Sequence, residues 1–289
     1  MDTFNWKQYV LNYSDLQNKG IKTYKSAWKH YIMYGKNENR SDKNILLNVP
    51  YIIKGYLDLL KEYQEHKNDI IPKIIFKTSP FTRTNMDNQI IHVLEITKQL
   101  NPDYTVYYFD DSEIEQFMKD NNYYNIYLKI KPSAFKTDFW RYCILQKYGG
   151  CYSDIGHTMK VSFDEIIDNN NLVLVKDLEN IGIHNSLICC KKNNLLMEKA
   201  IERCIHNINN KYYGVNAFDI TGPHMLYKLF KEIYQDTISL NNYYLTTNKT
   251  IMYKNKVILD TKFDNYYFIM YKKLKDHYIF MWNNRTVYS

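Results

Sequence analysis

The chain has 289 residues, 45% hydrophobic and 16% aromatic, which supplies apolar material for one sizeable core with a small appendage and excludes a disordered polymer. A formal net charge of +7, from 38 basic and 31 acidic residues, is spread along the chain without a basic stripe, so nucleic acid is not an expected partner. No window stays apolar long enough to cross a bilayer, the amino terminus lacks a signal-peptide pattern, and five cysteines without metal spacing read as reduced thiols, so a soluble cytoplasmic protein is expected.

In chain order, Phe4, Trp6, Tyr9 and Leu16, then Ala27, Trp28, Tyr31 and Ile32, form two helical stripes joined at Gly20 and closed by Tyr34 and Gly35. These define a small helical module over residues 1–45. Residues 46–70 read as a connector with a helix from Tyr51 to Glu65, and the main domain is expected over residues 71–289. The run from Ile71 to Thr78 has the length and apolar content of a buried first strand. A helix from Asn88 to Leu100 and a strand from Thr105 to Phe109 follow, and strand, helix, strand is the opening of a parallel α/β sheet. Asp110-Asp111-Ser112-Glu113 reads as a helix start capped by Asp111 or Ser112, in preference to a site. Further strands are expected over Asn171–Val175 and Gly182–Cys190, a helix over Asn194–Asn207, and another opening at Thr221-Gly222-Pro223.

The densest pattern lies between Lys131 and Lys160. Ala134 to Tyr148 reads as a helix behind Ser133 as N-cap, with Gly149 placed to end it. Asp138, Arg141 and Leu145 fall three and four apart on one face, with Phe135, Phe139 and Tyr142 beside them. Cys151 to Ile155 reads as a strand that places Asp154 at its carboxyl end, where open α/β sheets bind ligands. Gly156 then permits a sharp turn or a close approach. Taken piecemeal, an Asp and an Arg one turn apart make a solvated ion pair, and a double glycine makes a helix cap.

Taken together, Asp138, Arg141, Leu145, Gly149, Gly150, Tyr152 and Asp154 resemble the D-x-x-R-x-x-x-L-x-x-x-G-G-x-Y-x-D-x-D signature of sugar-nucleotide glycosyltransferases containing a DXD motif, glycosyltransferase family 32. Capsular polysaccharide and initiating mannosyltransferase enzymes belong there, with the glucosyltransferase domains of large clostridial toxins as remoter relatives. One position departs, because Gly156 stands where the family has its second Asp. Other segments resemble the same family: Ile71 to Thr78 its opening strand, Asn101-Pro102-Asp103-Tyr104 its N-P-x-Y, Thr221-Gly222-Pro223 its T-G-P, and the tail around Trp282 and Thr286 its H-x-W-x-x-S-W. The first 45 residues resemble a helical repeat found beside glycosyltransferase domains, notably in giant DNA viruses.

The resemblance implies a GT-A-like, mostly parallel central sheet flanked by helices, and transfer of a sugar from a UDP- or GDP-sugar to a glycan, lipid or protein hydroxyl with retention of configuration. It implies that Asp138 and Arg141 grip the donor sugar, that Asp154 acts with them in catalysis, and that Thr78, Tyr152, Asn185, Trp282 and Asn284 complete the donor site. It also implies a divalent ion, Mn²⁺ or Mg²⁺, on Asp154 and Asn283. With Gly156 in place of a carboxylate, two alternatives stay open. One is that basic groups such as Arg285 take over from the metal. The other is that the chain binds nucleotide-sugar or glycan without turnover, or hydrolyses the donor. Asn185 reads equally as a strand-end turn residue, and the tail as a surface terminus.

Overall fold

The structure is a computed structural model that describes the chain except residues 1–3, 14, 17–18, 39, 43–52, 65–69, 179–180, 236–239, 241, 264 and 272–276. In the N-terminal module, α1 (Trp6–Asn12) packs against α2 (Tyr24–His30) through Tyr9, Tyr13, Leu16 and Ala27. Gly35, past the end of α2, has no substitute: a Cβ there would sit 2.2 Å from the Tyr9 hydroxyl. Tyr9 in turn hydrogen-bonds His30 Nδ1 at 3.0 Å, so His30 is a packing residue, as its aromatic neighbours suggest.

Next come β1 (Ile53–Lys54) and α3 (Tyr56–Glu62), the latter shorter than the expected Tyr51–Glu65, part of which lies outside the described residues. Then β2 (Ile74–Thr78), α4 (Asn88–Leu100), β3 (Thr105–Phe109) and α5 (Asp111–Asp120) follow the sequence reading closely. The cap of α5 is Asp110, one residue earlier than expected: its carboxylate accepts from the backbone of Ser112 and Glu113, and Glu113 reaches back to the Asp110 N–H.

The central helix α6 (Ser133–Tyr148) ends at Gly149, whose φ of +67° with ψ of −161° is extended on the positive-φ side, a conformation other than the expected left-handed helical cap and one that glycine adopts without a Cβ penalty. It leads into β4 (Gly150–Ser153), β5 (Thr158–Met159), α7 (Phe163–Ile167), β6 (Leu172–Lys176) and β7 (Ile183–Cys190). The chain continues through α8 (Leu195–Asn209), α9 (Pro223–Tyr234), β8 (Tyr243–Leu245), β9 (Thr250–Tyr253) and β10 (Lys256–Asp260). It closes with α10 (Tyr266–Tyr271) and α11 (Tyr278–Asn283).

These strands form one sheet in the order β1-β3-β2-β4-β7-β6-β8-β9-β10-β5. Period-two alternation sends Phe76, Tyr107, Phe109, Tyr152 and Ile188 to one face, under α3, α5, α6, α8 and α9. Ile75, Val106, Tyr108, Cys151 and Leu187 go to the other, with α4 and α7. Both faces are covered, which is why β2 reads as a continuous apolar run.

The result is a mixed α/β sheet flanked by helices, and the expectation of a mostly parallel sheet needs refining. β1, β3, β2 and β4 run parallel, but β7 pairs antiparallel with both β4 and β6, and β8, β9, β10 and β5 are antiparallel neighbours. The cause is local: short connections from β8 to β9 and from β9 to β10 only permit antiparallel return, whereas β2 to β3 spans a helix. All five cysteines are buried and free.

Candidate functional site

Three elements bring the site together. β4 stops at Ser153, leaving Asp154 just beyond the sheet edge beside the end of β2. Because β7 runs antiparallel to β4, with Ser153 opposite Leu187, the beginning of β7 returns to the same place, and the Asp154 N–H donates to the Ser186 carbonyl at 2.9 Å. α6 crosses this junction with Asp138 and Arg141 inward.

The Arg141 guanidinium lies between two carboxylates, 3.3 Å from Asp138 Oδ1 and 3.7 Å from Asp154 Oδ1. It also donates to the Asn185 carbonyl and sits 4.3 Å above the Tyr152 ring. Tyr152 in turn donates its hydroxyl to Asp154 Oδ1 at 2.7 Å. Asp138 receives the Asn185 amide at 2.9 Å on one oxygen and the Thr221 hydroxyl at 3.0 Å on the other. Asp138 Oδ1 also faces Arg141, so it is Oδ2 that keeps an acceptor position for a ligand hydroxyl.

The two acids are tuned apart. Burial dominates at Asp138 and raises its carboxyl to about 6 in spite of Arg141, Thr221 and Asn185. At Asp154 burial pushes the same way but is outweighed by Arg141, with His157, Lys262 and the Tyr152 hydroxyl adding to it, and the carboxyl falls to about 2. Asp154 is thus anionic at any physiological pH, and its side chain is 27% exposed.

Two hollows meet at these side chains. The larger, about 480 Å³, is lined by Asp138, Arg141, Asp154, Asn185, Lys262 and Tyr278 among others. The smaller, about 200 Å³, includes Thr78, Asp111, Tyr152 and Met270. Asp138, Arg141, Asp154 and Tyr266 belong to both walls. A volume of this size suits a small organic ligand.

Of the residues expected from sequence, Asp138, Arg141, Asp154, Tyr152, Asn185 and Thr78 gather here, although Thr78 spends its hydroxyl proton on the Phe109 carbonyl at 2.7 Å. The expected tail residues do not. Trp282 donates its indole N–H to the Tyr213 carbonyl at 2.7 Å, Asn284 bonds back to the Phe280 carbonyl at 2.9 Å, and Arg285 stacks on Tyr213 and Trp282. Neither they nor Asn283 lines either hollow. The tail meets the site about one turn earlier, at His277 and Tyr278 where α11 begins, and α11 then carries Trp282, Asn283 and Asn284 away along its axis.

Lys262, Tyr266, His277 and Tyr278 had no signal in the sequence; they arrive from segments distant along the chain. Lys77 is another surprise. Wholly buried, it donates to Ser153 Oγ at 3.1 Å and the Asp154 carbonyl at 3.2 Å, and burial lowers its ammonium to about 7. It buttresses the turn that holds Asp154. His157 completes this layer between Ser153 Oγ and Ser186 Oγ, each at 3.0 Å, so both its ring nitrogens are engaged.

The residues present do not fit the divalent ion expected on Asp154 and Asn283. Among the described residues no group of three or more His, Cys, Asp or Glu is arranged to hold a metal. At Gly156, the position of the missing carboxylate, a Cβ would lie 2.7 Å from the Thr261 carbonyl oxygen and 2.9 Å from the Tyr266 ring. Asp154 already faces the cations Arg141 and Lys262, which oppose a second positive charge there.

Residues 87–173, which include Asp138, Arg141 and Asp154, match the family model described as a glycosyltransferase sugar-binding region containing a DXD motif. No curated protein matches the chain. Among solved structures it is similar to one titled PaToxG Glycosyltransferase, with 17% identity over 58% of this chain and 72% of that one, at a TM-score of 0.43.

Proposed function

We propose that the chain is a glycosyltransferase that takes a sugar from a nucleoside-diphosphate donor, UDP- or GDP-linked, and delivers it to a hydroxyl of a glycan, lipid or protein. One observation carries this reading: Asp138, Arg141 and Asp154 converge on the wall shared by two hollows, within the region that matches a sugar-binding family. A helix ion pair with only a structural purpose does not require a second carboxylate held ionised at a cavity mouth.

In this reading the nucleoside occupies the smaller hollow against Thr78 and Tyr152, and the sugar and acceptor share the larger one. Asp138 accepts hydroxyl protons from the sugar, and Asn185 and Thr221 hold that carboxylate in place. Arg141, locked by Asp138, Asp154, Tyr152 and the Asn185 carbonyl, is a preorganised positive charge beside the bond to be broken, where negative charge grows on the departing phosphate. We place retention of configuration with this reading on the strength of the family resemblance, and because no side chain stands out as a nucleophile, the route is front-face displacement and not a covalent sugar–enzyme intermediate.

A panel of UDP- and GDP-sugars, scored for released nucleotide with and without sugar acceptors, tests the proposal. Release that depends on acceptor is expected. Equal release with water alone makes the chain a hydrolase, and binding of donor without release makes it a nucleotide-sugar-binding protein. Proton NMR of the first product reports its anomeric configuration.

A further inference from the structure

Lys262 stands beside the space denied to a second carboxylate. It follows Thr261, whose carbonyl oxygen and whose neighbour Tyr266 fill the room a side chain at Gly156 would need. Its Nζ lies 4.0 Å above the Tyr266 ring, the aromatic wall common to both hollows, and the side chain lines the larger hollow with Arg141 and Asp154. Among the described residues no carboxylate lies within ion-pair distance of that ammonium. It is nevertheless close enough to Asp154 to help keep that acid ionised. A half-buried ammonium with no ion-pair partner among the described residues, at the mouth of a ligand-sized cavity, has a place for an anion.

We propose that Lys262, together with Arg141, neutralises the diphosphate of the bound nucleotide, so that this site works without a divalent ion. The inference rests on the glycosyltransferase reading and adds to it the group that takes the metal's electrostatic task. As the bond between the anomeric carbon and the diphosphate oxygen breaks, the electron pair stays on that oxygen. The acceptor hydroxyl forms the new bond to the anomeric carbon and loses its proton to the leaving phosphate. Lys262 remains an ammonium throughout and transfers nothing. Where the resembled pattern has a carboxylate, this chain has Gly156, with Thr261 and Tyr266 packed over the same spot.

The test is calorimetric titration of the full chain with UDP, GDP, uridine and guanosine, in EDTA and then in Mn²⁺, for the wild type, Lys262→Met and Lys262→Arg. Melting curves confirm that each variant is folded. Expected is binding of UDP or GDP in EDTA, tighter than its nucleoside, with a change of less than about threefold on adding Mn²⁺, well under the ~1.4 kcal/mol of a tenfold effect. Lys262→Met is expected to remove most of the advantage of diphosphate over nucleoside, and Lys262→Arg to retain it. A purely structural Lys262 would weaken nucleoside and nucleotide alike, and that result overturns the proposal. Binding of UDP or GDP only when Mn²⁺ is present also overturns it and leaves the transferase reading standing. If neither diphosphate binds under any condition, both fall together.

Discussion

Asp138 and Asp154 are the same side chain in two electrostatic settings a few ångströms apart along one guanidinium. Asp138 is buried among Thr221, Asn185 and Tyr142, and loses solvation faster than its partners repay it; Asp154 opens to the cavity and faces two cations. The pH dependence follows. An Asp138 carboxyl at about 6, above the ordinary 3.8, is ionised above that pH and protonated below it. Turnover that uses the anion should therefore be flat above about pH 7 and fall about tenfold per unit below pH 6, and bound donor should move the break to lower pH if its hydroxyls favour the anion. A rate that stays level down to pH 5 would remove Asp138 from the reacting form. Asp138→Asn and Asp154→Ala should each lower nucleotide release by on the order of 10²–10³, with circular dichroism unchanged. Arg141→Lys should fare little better, because a point charge cannot replace a planar group that meets two acids and an aromatic face at once.

At the level of elements, the site depends on how the turn after β4 is held. Its backbone is pinned from below by Lys77 and from the side by the Ser186 carbonyl, and is covered by the segment that enters α10. Gly156→Asp completes the D-x-D pattern that this stretch resembles, but the space for the second acid is filled. The new side chain would drive into the Thr261 carbonyl and the Tyr266 ring, so the expected outcome is a loss of about 1–3 kcal/mol in urea unfolding, with no stimulation by Mn²⁺. Metal-stimulated turnover in this variant would show that Thr261 and Tyr266 move aside readily. Gly150 is constrained from the other direction, since its φ of +96° and a Cβ 2.8 Å from the Ile74 carbonyl leave no room where β4 meets β2.

For the whole molecule, the N-terminal module is fastened to α4 of the sheet domain by buried polar contacts. Asp15 pairs with Arg40 at 2.8 Å and receives Gln89 Nε2 at 2.8 Å, while His92 Nε2 contacts the Glu38 carbonyl at 2.9 Å. Asp15→Ala leaves the buried Arg40 with the more exposed Glu38 as its remaining acid at 2.5 Å and removes the acceptor for Gln89, a change that should cost about 1–3 kcal/mol and loosen the module, measured by limited proteolysis. On the same helix Glu95 is raised by burial to about 7 from 4.5. The folded chain thus retains a proton between those pH values that the unfolded chain has released, so stability falls as pH rises through that window and stays lower above it. Glu95→Gln removes the ionisation, and should raise the urea midpoint at pH 8 by the equivalent of about 1–3 kcal/mol while changing little at pH 4.

Sequence alone determined the parts whose causes are local. β2, α4, β3 and α6 emerge from apolar period, caps and breakers, and the spacing of Asp138, Arg141 and Asp154 around a double glycine carries the family pattern without any coordinates. Tertiary structure decided everything that depends on two distant segments meeting. The antiparallel return of β7 set Asn185 against Asp138; the packing of Thr261 and Tyr266 closed the space at Gly156 and delivered Lys262; and the axis of α11 took Trp282, Asn283 and Asn284 out of the cleft in favour of His277 and Tyr278. Helix and strand periods act over a few residues and are written in neighbouring side chains, whereas a cavity wall is a set of long-range contacts whose partners leave no mark on each other's spacing.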